Sequence, residues 1–366
     1  VIHDNFMIVP EFIPKPYKSL LDSGYVAYSS PSNIALVKYW GKKEHQIPAN
    51  PSISFTLNKC KTLTTLKFEK KTSKGFSFKV FLEGVLQKDF KPKIEQFFKR
   101  IEAYMPFLSL YHFTIETSNT FPHSSGIASS ASGMSALALC LVHLEQRLNP
   151  EITKAFFNKK ASFLARLGSG SACRSIEGTL IVWGTHANIA GSSDLVGIKY
   201  PYEVHTNFNK FCDTILLVDK GGKQVSSTVG HDLMNGHPFA EERFAQAHTN
   251  MDALIEVLKS GDLAAFISIV EREALTLHAM MMSSDPYFIL MKSNTLEIIN
   301  KIWAFREKTG LNICFTLDAG ANVHVLYPQN EANEIRDFIK TSLVMHCQNE
   351  QFIEDTLGEG AQPIKI

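Results

Sequence analysis

A loop rich in glycine and serine contains the residues whose types and spacing are best suited to chemistry. It reads PHSSGIASS from Pro122 to Ser130, and an apolar periodic segment follows from Ala131. Small residues at the start of a helix leave backbone N–H groups unpaired, and the positive end of the helix dipole points to the same place. That geometry suits a phosphate group, although serines before a helix more commonly act only as N-caps. The loop matches neither the lysine-bearing P-loop nor GxGxxG, so both interpretations stay open on local chemistry.

Three further segments place charged side chains beside small or aromatic residues. Residues 33–42 read NIALVKYWGK, residues 168–175 read GSGSACRS with a single arginine, and residues 315–323 read FTLDAGANV around Asp318. An arginine can hold a carboxylate through a two-pronged contact, and a carboxylate can accept a proton. Each segment also has an ordinary interpretation, because lysines beside aromatic residues commonly form a surface patch and aspartate is a common turn residue.

Apolar periodicity predicts the elements that would position these segments. Residues 111–115 alternate as in a strand before the loop, and the helix from Ala131 is expected to stop at Asn149 and Pro150. Strands mixed with clustered helices favour an α+β fold over a doubly wound sheet. Residues 1–28 are expected to form an arm on the first domain. Further strands are predicted over 51–68, 76–82, 178–184, 211–218, 314–317 and 323–327, and further helices over 93–105, 151–167, 239–281 (two helices), 296–308 and 331–340.

Length and charge limit the possible architectures and partners. A chain of 366 residues is natural for two domains, and a loop-rich stretch at 186–202 predicts domains over 1–190 and 191–366. The formal net charge of +1 supplies no electrostatic footprint for nucleic acid or for an anionic membrane. The apolar runs are too short to span a bilayer. Neither nucleic acid nor a membrane is therefore expected as a partner.

Cysteine and histidine spacing indicates a reducing compartment and no metal centre built from protein side chains. The six cysteines show no CxxC spacing, and the thirteen histidines include no HExxH. Disulfide frameworks belong to oxidising compartments, so thiols without such a framework fit a reducing one. The N-terminal residues do not have the pattern of a signal peptide. We expect a cytoplasmic protein.

The four segments together closely resemble the diphosphomevalonate decarboxylases of the GHMP kinase superfamily, in this order and at these separations. The resemblance covers nearly the whole chain from about Ser32, and KYWGK and GSGSACRS are its most specific parts. It implies a two-domain GHMP kinase fold, with an N-terminal α+β domain that carries the phosphate loop, a ferredoxin-like C-terminal domain and the active cleft between them. It also implies ATP and Mg²⁺, a homodimer, and ATP-dependent decarboxylation of (R)-5-diphosphomevalonate to isopentenyl diphosphate in isoprenoid biosynthesis.

The resemblance assigns roles to individual residues of this sequence. Asp318 would act on the substrate hydroxyl, Arg174 would bind the substrate carboxylate with help from Asn33, and Lys38 would neutralise charge near the reacting centre. Positioning and electrostatics would supply most of the rate. Substrate binding is implied for Asn33, Tyr39, Trp40, Lys42, Ser169, Ser171 and Ser227. Nucleotide binding is implied for Pro122, Ser125, Gly126, Ala128, Ser129 and Ser130.

Three positions depart from the pattern of the family and leave alternatives open. Ala321 replaces a usual proline, His123 lies in a loop that usually reads PTAAG, and His231 replaces a common methionine. The two histidines leave open whether the substrate is a monophosphate or a diphosphate. The alternative functions are a related GHMP small-molecule kinase, a mevalonate phosphate decarboxylase, and a nucleotide-binding regulator without turnover. The joint presence of Lys38, Arg174 and Asp318 favours decarboxylation.

Overall fold

The structure is a computed structural model that describes residues 8–122, 127–220 and 227–365. Its elements alternate irregularly between strands and helices along the chain. The strands are β1 (Ser23–Val37), β2 (Ser52–Lys70), β3 (Ser77–Leu82), β4 (Val85–Leu86), β5 (Tyr111–Asn119), β6 (Leu180–Trp183), β7 (Ile198–Lys199), β8 (Phe211–Leu216), β9 (Cys314–Thr316), β10 (Val323–Pro328), β11 (Phe352–Thr356) and β12 (Gln362–Pro363). The α-helices are α1 (Lys91–Ile101), α2 (Ser129–Leu148), α3 (Lys154–Gly168), α4 (Ser227–Asp232), α5 (Ala240–Ser260), α6 (Leu263–Met282), α7 (Ser293–Thr309) and α8 (Ala332–Phe338).

An eight-stranded sheet is built mainly from the first half of the chain. Its order is β12-β1-β2-β5-β3-β4, and β6 pairs with both β2 and β7. All the pairs are antiparallel except β3 with β5. The largest apolar cluster includes Val26 and Phe68 from β1 and β2, and Leu137 and Leu141 from α2. Helical periodicity on α2 thus buries its apolar residues against this sheet, and the beginning of α2 is held in place by that packing.

A second sheet of four antiparallel strands, in the order β11-β8-β10-β9, lies in the second half of the chain. One apolar cluster joins the two sheets, since it contains Ile34 and Phe55 from the first sheet, Ile215 from β8, Leu326 from β10 and Phe266 from α6. Another cluster lies on the far side of the second sheet and includes residues of α7 and α8. The shared cluster fixes the end of β1 against the second sheet.

The fold confirms the expected α+β class and most of the predicted elements. The turn at Glu83 and Gly84, which joins β3 to β4, has positive φ at both residues, as a tight hairpin turn requires. The predicted arm over 1–28 is wrong at its end, because β1 begins at Ser23 and Tyr28 pairs with Thr64 of β2. The helix predicted over 151–167 begins later, since Thr153 caps its first turn. The domain boundary after residue 190 stays a prediction.

The six cysteines are all buried and free. Disulfides are thus absent from the chain, as the spacing of the cysteines predicted. No helix in the described ranges is long and apolar enough to cross a bilayer.

Candidate active site

A cavity of about 580 Å³ lies where the end of β1, the first turn of α2, a 3-10 turn over Gly170–Ser175 and the loop after β9 meet. The end of β1 belongs to the first sheet and α2 packs on that sheet, whereas the loop after β9 belongs to the second sheet. The cavity brings together eleven of the residues proposed from the sequence. They are Lys38, Tyr39, Trp40, Lys42, Ala128, Ser129, Ser130, Ser169, Ser171, Arg174 and Asp318.

A lysine and an aspartate from different sheets form an ion pair in this cavity. Lys38 is the first residue after β1, and its Nζ donates a hydrogen bond to Oδ1 of Asp318 at 3.1 Å. The lysine side chain is 2% exposed, whereas that of Asp318 is 29% exposed. Burial lowers the pKa of Lys38, and the carboxylate of Asp318 opposes this shift. A buried ammonium is therefore held beside a carboxylate that a ligand can reach.

A buried guanidinium lines the same cavity. Nε of Arg174 donates to Oδ1 of Asn33 at 3.2 Å, and Nη1 donates to Oγ of Ser52 at 2.5 Å. Nδ2 of Asn33 in turn donates to Oγ of Ser175 at 2.7 Å, which directs the amide oxygen towards the arginine. The arginine is 4% exposed, and burial lowers its pKa. A rigid, desolvated guanidinium of this kind binds a planar carboxylate well.

Tyr39, the residue after Lys38, packs against Trp183 of β6 and His231 of α4. The centroid of the Tyr39 ring lies 4.6 Å from the ring centroid of Trp183 and 4.2 Å from that of His231. Nδ1 of His231 accepts a hydrogen bond from the backbone N–H of Gly41 at 3.0 Å. Since that nitrogen is an acceptor, neutral His231 carries its proton on Nε2. The sequence singled out His231 only as a departure from a pattern, yet it lines the cavity.

Lys42 and the short helix α4 form another contact at this side of the cavity. Nζ of Lys42 lies 3.2 Å from Oδ1 of Asp232, and the lysine side chain is 17% exposed. The backbone of Ser227 belongs to α4, but its side chain is not part of what the structure describes. The sequence proposal that Ser227 binds substrate therefore stays a prediction.

The first turn of α2 borders the cavity. Its N-cap, Ala128, has a left-handed backbone with φ 43°, and its carbonyl accepts from the N–H of Ala131 at 2.8 Å. Ser129 and Ser130 follow at the wall of the cavity. Ser125 and Gly126, like His123, lie outside the described residues, and Pro122 is not part of the cavity wall. The phosphate-binding role of this loop stays a prediction.

The structure also brings residues to the cavity that sequence reasoning missed. Lys93, Asn119, Thr62 and Thr64 contribute polar groups to the wall. The sequence placed Lys93 only on an amphipathic helix, and nothing in its neighbourhood indicated that it lies near a ligand site.

His278 of α6 is buried, and its Nε2 lies 3.2 Å from the carbonyl oxygen of Asp318. Burial lowers the pKa of His278 to about 4, so the neutral ring donates to that carbonyl.

Two family models match this chain. Residues 30–194 match the diphosphomevalonate decarboxylase-like N-terminal domain, and residues 214–365 match the mevalonate 5-diphosphate decarboxylase C-terminal domain. The chain is 28% identical over 324 residues to a diphosphomevalonate decarboxylase of Gibberella zeae, covering 84% of this chain and 82% of that protein. It is also 28% identical to that of Saccharomyces cerevisiae, covering 85% of this chain and 80% of the yeast protein.

Solved structures extend the similarity to three dimensions. The mevalonate diphosphate decarboxylase from Staphylococcus aureus superposes with a TM-score of 0.79 at 27% identity, covering 94% of this chain and 98% of that one. A structure described as MDDEF in complex with MVAPP, AMPPCP and magnesium gives a TM-score of 0.80 at 27% identity, covering 94% and 100%. Both halves of the chain, in the same order and over nearly their full length, thus match one family. The chain belongs to the diphosphomevalonate decarboxylase family of the GHMP kinase superfamily.

Proposed function

We propose that this protein converts (R)-5-diphosphomevalonate and ATP to isopentenyl diphosphate, ADP, phosphate and CO₂. The observation that carries the proposal is that Lys38, Asp318 and Arg174 line one cavity beside the first turn of α2. A simple kinase needs the phosphate site and the carboxylate. A decarboxylase must also orient the substrate carboxylate, which is what Arg174 is placed to do. Relatives solved with MVAPP, AMPPCP and magnesium support the same ligands for this chain.

The first chemical step is phosphoryl transfer to the tertiary hydroxyl of the substrate. Asp318 takes the proton of this hydroxyl, whose oxygen attacks the γ-phosphorus of ATP while the bond to the β-phosphate oxygen breaks and ADP leaves. The accessible carboxylate of Asp318 fits this role, because Lys38 holds it in one orientation at 3.1 Å. The N–H groups at the start of α2, with Ser129 and Ser130, would bind the nucleotide phosphates.

The second step is an elimination, in which phosphate and CO₂ leave the same molecule. The carbon–oxygen bond of the phosphorylated carbon breaks, and the electrons of the carbon–carboxylate bond form the new double bond. The ammonium of Lys38 stabilises the charge that develops on the departing phosphate. Because CO₂ carries no charge, Arg174 contributes mainly by fixing the orientation of the carboxylate before the bond breaks. Asn33 and Ser52 hold the guanidinium for this purpose.

Mg²⁺ fits this site as an ion that is held jointly by nucleotide and protein. No three His, Cys, Asp or Glu side chains in the described ranges are grouped so that they could hold a metal ion. Nucleotide-bound Mg²⁺ takes one or two carboxylates together with phosphate oxygens and water. Asp318 has a carboxylate, and Ser129 and Ser130 have hydroxyl groups, in the wall of this cavity, and these oxygens would hold the ion. The ion would neutralise charge on the phosphates when it is bound.

The experiment that tests the function is a product balance with Mg-ATP and (R)-5-diphosphomevalonate labelled in the carboxyl group. We expect ADP, phosphate and labelled CO₂ in equal amounts. ADP without CO₂ would identify a kinase, and no turnover with intact ATP binding would identify a regulator. The monophosphate substrate belongs in the same experiment, since His231 beside Tyr39 alters the surroundings of the substrate phosphates. We expect the higher kcat/KM for the diphosphate, whose tail would lie against Lys42, Ser169 and Ser171.

We also propose that the protein is a cytoplasmic homodimer, as expected from the family resemblance and from the cysteines. Light scattering after size-exclusion chromatography would measure the mass of the assembly against 40.9 kDa for one chain. Fractionation of the source cells would test the location.

A further inference from the structure

A fully buried ion pair between two helices of the second half of the chain lies behind Lys38. Arg243 of α5 and Glu273 of α6 are both completely shielded from solvent. The guanidinium and the carboxylate meet through two hydrogen bonds, from Nη2 to Oε2 at 2.6 Å and from Nη1 to Oε1 at 3.1 Å. Neither residue belongs to the cavity wall. The pair therefore has no direct access to a ligand.

Both members of this pair also bind the main chain of Lys38. Its backbone N–H donates to Oε2 of Glu273 at 2.8 Å, and its carbonyl accepts from Nη2 of Arg243 at 3.1 Å. Nδ2 of Asn50 donates to the same carbonyl at 2.9 Å. Lys38 is the first residue beyond β1, where strand pairing no longer fixes the backbone. The ion pair supplies the backbone contacts that the sheet ceases to provide.

A purely structural role does not account for this arrangement well. Buried ion pairs commonly contribute little to net stability, and apolar residues of similar volume often replace them without loss. Here the same carboxylate also accepts from Nδ2 of Asn250 at 2.5 Å, so its oxygens are fully used in one fixed orientation. Moreover, Asp318 belongs to the same half of the chain as Arg243 and Glu273. The pair thus connects the backbone of Lys38 to the same half of the chain that contains Asp318, the partner of the Lys38 ammonium.

We propose that Arg243 and Glu273 are positioning residues that hold Lys38 so that its ammonium meets Asp318 in the cavity. The inference rests on the proposed function, because it assigns the pair to the chemistry of that site. Loss of the pair should let the Lys38 backbone shift after Val37 and separate Nζ from Asp318. A misplacement of about 1 Å can cost on the order of a hundredfold in rate.

The decisive variant replaces both charges, Arg243→Met with Glu273→Leu, so that no charge is left buried without a partner. We expect kcat to fall by about a hundredfold with little change in KM for ATP. The melting temperature should change much less than in the single variant Glu273→Leu, which leaves the arginine unpaired. A second variant, Arg243→Lys, keeps the charge but lacks the fork that reaches both Glu273 and Lys38, and its kcat should fall as well.

The chain provides a matched control in another buried ion pair. Nζ of Lys160 lies 2.6 Å from Oε1 of Glu145, both side chains are 1% exposed, and neither lines the cavity. The double change Lys160→Met with Glu145→Leu should leave kcat per folded molecule at the wild-type value. Equal losses of kcat in the two double variants would mean a general effect of removing buried pairs and would overturn the proposal.

A crystal structure of the Arg243→Met, Glu273→Leu variant separates this inference from the proposed function. We expect the distance from Nζ of Lys38 to Oδ1 of Asp318 to increase from 3.1 Å beyond hydrogen-bonding range, whatever the substrate is. An unchanged distance, or wild-type kcat per folded molecule in both this variant and Arg243→Lys, would refute the positioning role. Should the double variant fail to fold, the same distance and kcat measured in Arg243→Lys decide the question. Failure of the wild-type enzyme to form CO₂ would refute the proposed function alone.

Discussion

Asp318→Asn is the most informative single change in the cavity. Asparagine is nearly isosteric with aspartate, so the change removes the charge and the basicity with little change in volume. Because the carboxylate is proposed to take the proton of the attacking hydroxyl, kcat should fall by about 10²–10⁴-fold. This corresponds to a barrier increase of roughly 3–5 kcal/mol.

The same change has an effect on stability that can be estimated from the burial of Lys38. Asp318 is 3.1 Å from this ammonium, and its carboxylate opposes the lowering of the lysine pKa by burial. Without the carboxylate, the folded variant can keep the amine neutral. Loss of this compensation should therefore lower the free energy of unfolding of the variant at pH 8, by a few kcal/mol at most.

The sign of the pH dependence follows from proton binding. Burial lowers the pKa of Lys38 in the folded protein, and loss of the Asp318 carboxylate should lower it further. Between the pKa of the folded variant and that of the unfolded chain, the unfolded chain binds more protons, so the free energy of unfolding rises with pH. The deficit of the variant relative to wild type should therefore shrink as pH rises from 8 to 10, by up to about 1.4 kcal/mol per unit. An exposed ion pair offers a control. Nζ of Lys67 lies 2.7 Å from Oε1 of Glu116, and Glu116→Gln should cause neither effect.

Single-turnover ADP formation and calorimetric unfolding on the same preparations, at pH 8 and pH 10, measure both effects. A variant of Asp318 that is destabilised but fully active per folded molecule would remove this residue from the chemistry. A stability deficit that does not change with pH would refute the inference that Asp318 compensates the buried charge of Lys38.

Three other predictions concern the carboxylate site, the phosphate loop and a buried histidine. Arg174→Lys cannot form the two-pronged contact and should lower CO₂ formation at least about tenfold, so a product assay that finds wild-type turnover would refute its role. Gly126→Val adds bulk and restricts φ in the proposed phosphate loop, and should weaken ATP binding measured by calorimetry, whereas unchanged affinity would favour the simple capping role. The pKa of His278, lowered to about 4, means that the unfolded chain binds a proton between pH 6.5 and 4 while the folded protein does not. The free energy of unfolding should therefore fall by up to about 3 kcal/mol over that range, and His278→Gln should abolish this part of the dependence in urea titrations.

The elements around the cavity were largely predictable, because local patterns determine them. Alternation in residues 111–115 predicted β5, helical spacing after Ala131 predicted α2, and the apolar run before Asp318 predicted β9. The proposal that Arg174 and Asp318 share a site came from the family resemblance, and the cavity brings both together. Spacing alone could not have done so, since 143 intervening residues separate them in the chain.

Burial was the property that the sequence could not supply. Lys38, Lys42 and Lys43 lie close together among aromatic residues, and their local sequence fits a surface patch. The structure buries only the first of them to 2% exposure, because Glu273 and Asp318 bind it from the distant second half of the chain. The end of the proposed N-terminal arm was missed for the same reason, since Ser23 begins a strand only through its partner Glu69 in β2.

The charges in the cavity explain why two desolvated cations can be useful to this enzyme. Burial lowers the pKa of both Lys38 and Arg174, so their charged forms are less favourable in the free protein than in water. Asp318 is the carboxylate in the cavity wall that compensates them, and it is proposed to accept a proton during the reaction. A substrate that brings a carboxylate and a developing phosphate supplies the missing negative charge. These cations are thus already desolvated and held in place in the folded protein before the substrate binds. Little reorganisation is therefore required when charge develops on the leaving phosphate.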